Sequence, residues 1–238
     1  SMQMSNAGTF VPATSTLVLN GISKTINGAT TFNEITVYGS YAVINNSDIT
    51  YNGLLLVTST GIYSAGGGTA TVNGDLTNSG SLTSTGITTF TGTSLQTIRL
   101  INALVSTSTG VVNFNGNVAP VLNSTSAPTF ANLNINNTAG VNPSKDWLVM
   151  VSMTIGAGAI FNGGISHHTI RGNFTNNGTV TSDGELYFNP YFPVTLQLSG
   201  TSFSSTGTVN FGGTTPITIT GSPASLNDVR ITNTNAAG

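Results

Sequence analysis

The sequence predicts an all-β chain wound as a right-handed parallel β-helix, a β-solenoid of about 10–12 turns. Three observations carry that expectation. The stretch Gly74-Asp75-Leu76-Thr77-Asn78-Ser79-Gly80-Ser81-Leu82-Thr83-Ser84 recurs as Gly172-Asn173-Phe174-Thr175-Asn176-Asn177-Gly178-Thr179-Val180-Thr181-Ser182, an offset of 172 − 74 = 98 residues. Apolar residues alternate with polar ones over short runs, the period of a strand with one buried face. Charged residues make up only 5% of the chain, against roughly 25% in an ordinary soluble domain.

The repeat comes first because a fixed period means one structural unit used again. It extends in both directions at the same offset: Phe32 matches Phe130, Val43 matches Val141, Asp48 matches Asp146, Ile62 matches Ile160, Gly86 matches Gly184, Phe90 matches Phe188 and Leu100 matches Leu198. Farther on, Ser108 to Gly116 recurs as Ser205 to Gly213 at an offset of 97, and Phe130 to Ile135 is answered by Leu226 to Ile231. The chain therefore reads as one continuous solenoid of about two and a half copies of a unit of roughly 97 residues, over approximately 8–105, 106–203 and 204–238. A unit that long exceeds a single coil and must be subdivided, into about five coils of 15 to 22 residues.

Within the unit the alternating pairs are Leu186 and Phe188, Leu196 and Leu198, Val209 and Phe211, Ile217 and Ile219, and Val229 and Ile231. Gly, Asn-Gly, Asp-Gly, Ser-Pro and Asn-Pro separate them, as turn residues that supply positive φ or fixed bends. In the repeated stretch Leu76 with Phe174 and Leu82 with Val180 are expected to point inward, and Asn176 to Gly178 to form a corner. Stacked coils place equivalent residues about 4.8 Å apart, so like charges would repel at every step while Asn amides and Thr hydroxyls bond along the stack. The low charge follows from that geometry.

Composition also narrows the function classes. A net charge of −2 gives no basic field for nucleic acid, whose affinity comes from clustered Lys and Arg. The absence of Cys removes disulfides and thiolate metal sites. No apolar run approaches the about 20 residues of a membrane-spanning helix, so membrane insertion of this segment is not expected. Ser1-Met2 reads as a cloning remnant and Asn235 to Gly238 falls in mid-repeat, so the chain is expected to be a piece of something longer.

Runs such as Gly207-Thr208-Val209-Asn210-Phe211-Gly212-Gly213, followed by Ala224-Ser225-Leu226-Asn227-Asp228-Val229-Arg230-Ile231-Thr232-Asn233, resemble the repeat regions of very large secreted adhesin-like proteins of Bacteroidota, the gliding-motility surface adhesins among them. That resemblance covers nearly the whole chain. It implies an exported filament at the cell surface, carried by type IX secretion, with an anchoring or sorting domain elsewhere. Its implied partners are a host, cell or abiotic surface, polysaccharide, and further repeats of the parent chain.

Parallel β-helices also carry polysaccharide-degrading activities, so a carbohydrate-binding or carbohydrate-cleaving protein is the alternative. Glycoside hydrolysis needs paired carboxylates within about 5–9.5 Å. The seven acids are scattered, and only Asp183 and Glu185 stand close, in a turn. No catalytic residue, metal site or cofactor is assigned. Thr-X-Thr pairs such as Thr69-Ala70-Thr71 and Thr179-Val180-Thr181 raise an ice-binding solenoid as a second alternative, but their irregular spacing does not make a lattice.

Comparison of the copies locates the ligand candidates. Trp147, His167, His168, Arg171, Glu185, Tyr187, Tyr191 and Phe192 replace Ile49, Thr69, Ala70, Asn73, Ile87, Thr89, Thr93 and Ser94. Of these, Trp147, His168, Arg171, Glu185, Tyr187, Tyr191 and Phe192 are the candidates for ligand contact. Adjacent His167 and His168 on a strand point to opposite faces, which argues against joint metal ligation, and Tyr187 faces outward if Leu186 and Phe188 face the core.

Overall fold

In the computed structural model the chain coils into a three-sided prism of parallel strands, about ten turns in all. Residues 3–4, 14–20, 24–28, 30–39, 42–45, 47–107, 109–222 and 225–235 are described. Ser1, Met2, Ser108, Ala224 and Ala236 to Gly238, which enter the sequence reading above, lie outside them. No helix occurs among the described residues.

Each turn contributes one strand to each of three faces. Face I begins with Thr16–Leu19, Glu34–Val37, Leu55–Val57, Leu76–Asn78, Thr97–Leu100 and Val121–Leu122. Its position is resumed by Val141, paired with Phe161, and then by Ile160–Asn162, Thr179–Ser182 and the start of Ser202–Phe211. Face II includes Ile62–Ala65, Ser81–Ser84, Leu104–Ser106, the first residues of Thr129–Ile135 and of Leu148–Ile155, then His168–Ile170 and Leu186–Phe188. Face III includes Ile49–Tyr51, Thr69–Val72, Ile87–Phe90, Val111–Phe114, Asn173–Asn176, Val194–Gln197 and Ile217–Thr220. Ten stacked strands at about 4.8 Å per turn make a body roughly 45 Å long.

Alternation decides what each strand buries. Leu76, Leu82, Phe174 and Val180 are all in the core, as expected from the repeated stretch. The interior is a continuous apolar column, and aromatic rings fill its middle: Phe90 stacks on Phe114 at 5.0 Å and Phe114 on Trp147 at 5.6 Å, while Phe188 stacks on Phe211 at 5.6 Å. Each fully buried Val, Leu, Ile or Phe stabilises the stack by roughly 1.5–3 kcal/mol.

The polar residues run along the axis in ladders. Asn73 donates to Asn52 (2.8 Å), Asn136 to Asn115 (3.1 Å), and Asn134 to Asn113 (2.9 Å), which donates in turn to Thr89 (3.1 Å). Buried corner asparagines do more. Asn78 accepts the Gly80 N–H and donates to the carbonyls of Asn102 and Ala103; Asn176 accepts the Gly178 N–H and donates to the carbonyl of Ser202.

The repeated glycines are needed for space. Gly74, Gly80 and Gly86, with their counterparts Gly172, Gly178 and Gly184, are absent from the positive-φ glycines. A Cβ at any of them would enter a carbonyl oxygen of the neighbouring coil, that of Gly53, Gly61, Gly66, Val151, Ala159 or Ser166 in turn. The turn conformation expected from sequence gives way here to close stacking of coil on coil.

The repeat and the coil do not share a period. Leu76 lies on face I, and the strands at Ile98, Leu122, Val141 and Phe161 complete four turns on that face. Two further strands, His168–Ile170 and Asn173–Asn176, then lead to Phe174 on face III. One unit is thus four and two-thirds turns rather than five, and the second copy is rotated by one face against the first. This is possible because every face is the same object, a parallel strand with one side in. The bonds travel with the repeat: Asp48 accepts the Thr69 N–H (2.8 Å) and Asp146 that of His167 (2.9 Å), while Asp75 accepts the Thr97 N–H (2.7 Å) and Asn173 that of Thr195 (2.8 Å).

Candidate functional site

Two of the seven ligand candidates are core residues. Trp147 is buried ahead of Leu148–Ile155, on the same inward side as Val149, and its ring meets Phe130, Phe161 and His168 as well as Phe114. His168 is 2% exposed. Its Nδ1 accepts the Trp147 N–H (3.1 Å), which fixes the proton on Nε2, and Nε2 donates to the Gly163 carbonyl (2.9 Å). Burial lowers its pKa from the ordinary histidine value, partly offset by the Gly163 bond and by Asp146. A neutral imidazole with both nitrogens engaged has no lone pair to offer, so Trp147 and His168 belong to the scaffold. The reason is their parity along the strand, which places both on the inward side.

His167 emerges on the opposite side of the same backbone, as the strand geometry requires. Its Nδ1 lies 2.8 Å from Glu185 Oε2 on the next coil, and Asn210 from the coil after that donates to Glu185 Oε1 (3.2 Å). Tyr187 does face outward between buried Leu186 and Phe188, and packs edge-on against His167 with ring centres 5.9 Å apart. Glu185 and Tyr187 thus form a satisfied polar rung of face II.

The remaining three gather at the corner between faces II and III. Arg171 follows His168–Ile170, and Tyr191 and Phe192 lie in the bend between Leu186–Phe188 and Val194–Gln197. The Arg171 guanidinium carbon sits 4.4 Å from the centre of the Tyr191 ring, a cation–π contact. Its Nη1 lies 3.7 Å from Met150 Sδ, and its Nε is buried with no hydrogen-bond partner among the described residues. Among the described residues no carboxylate lies within 4 Å of it, the ion pairs being His167–Glu185 and Arg230–Asp228. Thr215 holds the aromatic bend from the next coil, its hydroxyl lying 3.2 Å from both the Pro190 and the Phe192 carbonyl oxygens. Tyr191 is 60% and Phe192 40% exposed, and with Met150, Val151, Ala131 and Ser106 they line an open cleft of about 340 Å³.

Met150 carries no signal in the sequence beyond being the second-copy replacement for Asn52. It was missed because a methionine between two valines reads as core, whereas alternation from buried Val149 puts Met150 on the outward side, where the strand passes through a corner opposite the register shift between Phe130 and Asn132. Within the prism, a void of about 10 Å³ beside Trp147 admits no ligand.

All seven acids tie one coil to another or close such a tie. Glu34, Asp183 and Asp228 accept from the hydroxyls of Thr16, Thr206 and Thr208; Asp48, Asp75 and Asp146 accept backbone N–H groups; Glu185 takes His167 and Asn210. Among the described residues no three His, Asp or Glu converge on a common point. The Thr-X-Thr pairs are dispersed too, with Thr69 and Thr71 on face III, Thr83 on face II and Thr179 and Thr181 on face I.

No protein-family model matches the chain, and neither a curated protein nor a solved structure matches it.

Proposed function

We propose that the chain is a non-catalytic structural segment of an extracellular bacterial surface adhesin, presenting hydroxyl- and amide-rich faces to surfaces and glycans. The observation that carries this reading is the use of the ionisable groups: the seven acids act as bonds between coils. What is left outside is sparsely charged, repetitive and hydrogen-bonding, a chemistry suited to many weak contacts that add through effective concentration. The repeat supports the same reading. Because one unit spans four and two-thirds turns, successive units offer equivalent side chains on different faces, and a longer array would present them around its whole circumference.

Beads coated with the chain, flowed over immobilised neutral polysaccharide and over an abiotic surface such as glass, test this function. Retention above uncoated beads and above beads carrying an unrelated neutral β-protein is the expected result. Retention no greater than that of the control beads on either surface would sink the adhesive role, and turnover of the polysaccharide would overturn the non-catalytic one.

A further inference from the structure

We propose that the cleft at the corner between faces II and III is a binding subsite for an acidic polysaccharide of the uronate type, with Arg171 receiving the carboxylate and Tyr191 and Phe192 the sugar ring. The proposal rests on the surface-contact role above and specifies the ligand class for one corner of the prism.

The argument starts from Arg171. A guanidinium carries five donors in a fixed fork and stays charged at any working pH. Here the inner edge is turned away from solvent, with Nε buried and unpartnered among the described residues, Nη1 directed at Met150 Sδ and the guanidinium carbon over the Tyr191 ring. The positive charge has no counter-ion among the described residues. Glu185, on the same face, stands at the far end of its strand and is already engaged by His167 and Asn210. A cation immobilised without an acidic partner, in a chain that matches each acid to a donor, can take an external anion on its outer N–H groups, and a carboxylate is the planar group that fits the fork.

The surroundings choose the anion's carrier. Exposed Tyr191 and Phe192, backed by Met150, offer aromatic and apolar surface beside the charge, where the C–H face of a pyranose packs while its carboxylate reaches Arg171. The lining residues Ser106, Ala131, Met150 and Tyr191 span five successive coils, a run of about 19 Å along the axis, and Arg171, on the coil between Met150 and Tyr191, touches both of them at the cleft's edge. That length suits an extended chain better than a single small ion. The bend is tied down by Thr215 before any ligand arrives.

The first copy acts as an internal control. Its equivalent corner carries Asn52 and Asn73, hydrogen-bonded to each other at 2.8 Å, with Thr93 and Ser94 in the bend. The scaffold therefore closes this corner with neutral ladder residues, and the Met150, Arg171, Tyr191, Phe192 set departs from it.

The test is a calorimetric titration of the chain with tetragalacturonate and with the uncharged galactose tetramer, in low and in 0.5 M salt. Saturable tetragalacturonate binding is expected, weakened at least about tenfold by Arg171→Gln and only partly restored in Arg171→Lys, which keeps the charge and loses the fork. Tyr191→Ala should weaken it as well, high salt should weaken it in the wild type, and Arg230→Gln, an exposed arginine paired with Asp228, should leave it unchanged. Thermal midpoints measured on each variant identify any that fails to fold. Absence of saturable binding in the folded wild type overturns the subsite, and so does tetragalacturonate binding indifferent to Arg171→Gln. Equal binding of the neutral tetramer overturns the acidic assignment. Bead retention on neutral and abiotic surfaces does not depend on Arg171, so the subsite and the adhesive role can fail separately.

Discussion

The two copies of the repeat differ at one corner, both in the residues outside it and in the side chain that fills the coil beneath it. In the first copy the corner after Ile49–Tyr51 and Thr69–Val72 is a neutral rung, Asn73 on Asn52, and Gln96 sits fully buried in the next coil, donating to the Val72 and Gly74 carbonyls and accepting the Gly92 N–H. In the second copy Arg171 and Met150 replace the rung, Pro190 replaces Gly92, and Val194 replaces Gln96 with an apolar plug. The coil is held either way. The difference teaches that a corner can be closed by a polar rung over a buried amide or by larger side chains over an apolar plug, so long as the inward alternation of the flanking strands is kept, which is where a binding site arises at little cost to the fold.

The largest expected effect separates core from decoration. Trp147→Ala should cost about 3–5 kcal/mol in urea unfolding, because the ring fills the prism among Phe114, Phe130, Phe161 and His168. Ile49→Ala, the equivalent change in the first copy, should cost about 2–5 kcal/mol and sit below it, since Ile49 is smaller. A Trp147→Ala variant of unchanged stability would put the indole back among the ligand candidates and break the division.

Next in size are the corner asparagines, which test whether bonds travel with the repeat from one face to another. Asn78→Ala and Asn176→Ala each strand a buried N–H and the carbonyls that the amide served, at about 1–3 kcal/mol. The two losses should agree within about 0.5 kcal/mol, although Asn78 and Asn176 occupy different corners. A clear inequality would mean that the corners are not interchangeable.

Sequence made the faces legible because alternation and repetition are local: Phe174, Val180, Leu82 and Leu76 point inward as their period requires, and Tyr187 and His167 outward. What stayed hidden depends on phase. Nothing local reveals that one unit falls a third of a turn short of five coils, since only the pairing of Leu122 and Val141 positions with their neighbours fixes that count. Parity hid Trp147 and His168 as well. An unusual residue type drew attention to them as ligands, whereas the strand places both inside, and Met150, of unremarked type, stands outside at the cleft.

His168 makes a smaller, pH-dependent prediction that the first copy cannot share, its equivalent there being Ala70. The folded pKa is depressed by burial below the unfolded value near 6.5. The unfolded chain therefore binds a proton more readily, and the stability contribution is complete above about pH 6.5 and declines as the pH falls from there toward the folded pKa. Unfolding midpoints between about pH 7.5 and 5.5 should decrease in the wild type, and His168→Gln should remove the part of that slope above the carboxylate range. A slope untouched by the substitution would mean that another group titrates in this window.

The smallest effect is the most informative about the cleft. Met150→Asn combined with Arg171→Asn rebuilds at the second-copy corner the rung that Asn52 and Asn73 form in the first. Exposed ladder residues contribute little, so the double substitution should change stability by no more than about 0.5–1 kcal/mol. The exchange removes a charge with no acidic partner among the described residues, so no ion pair is lost, and it supplies a partner to an amide where Nε now has none. Tetragalacturonate binding should nevertheless disappear. Should the double variant instead lose more than about 2 kcal/mol, Arg171 would be carrying part of the coil, its contact with Tyr191 would be packing, and the two corners would differ in structure rather than in use.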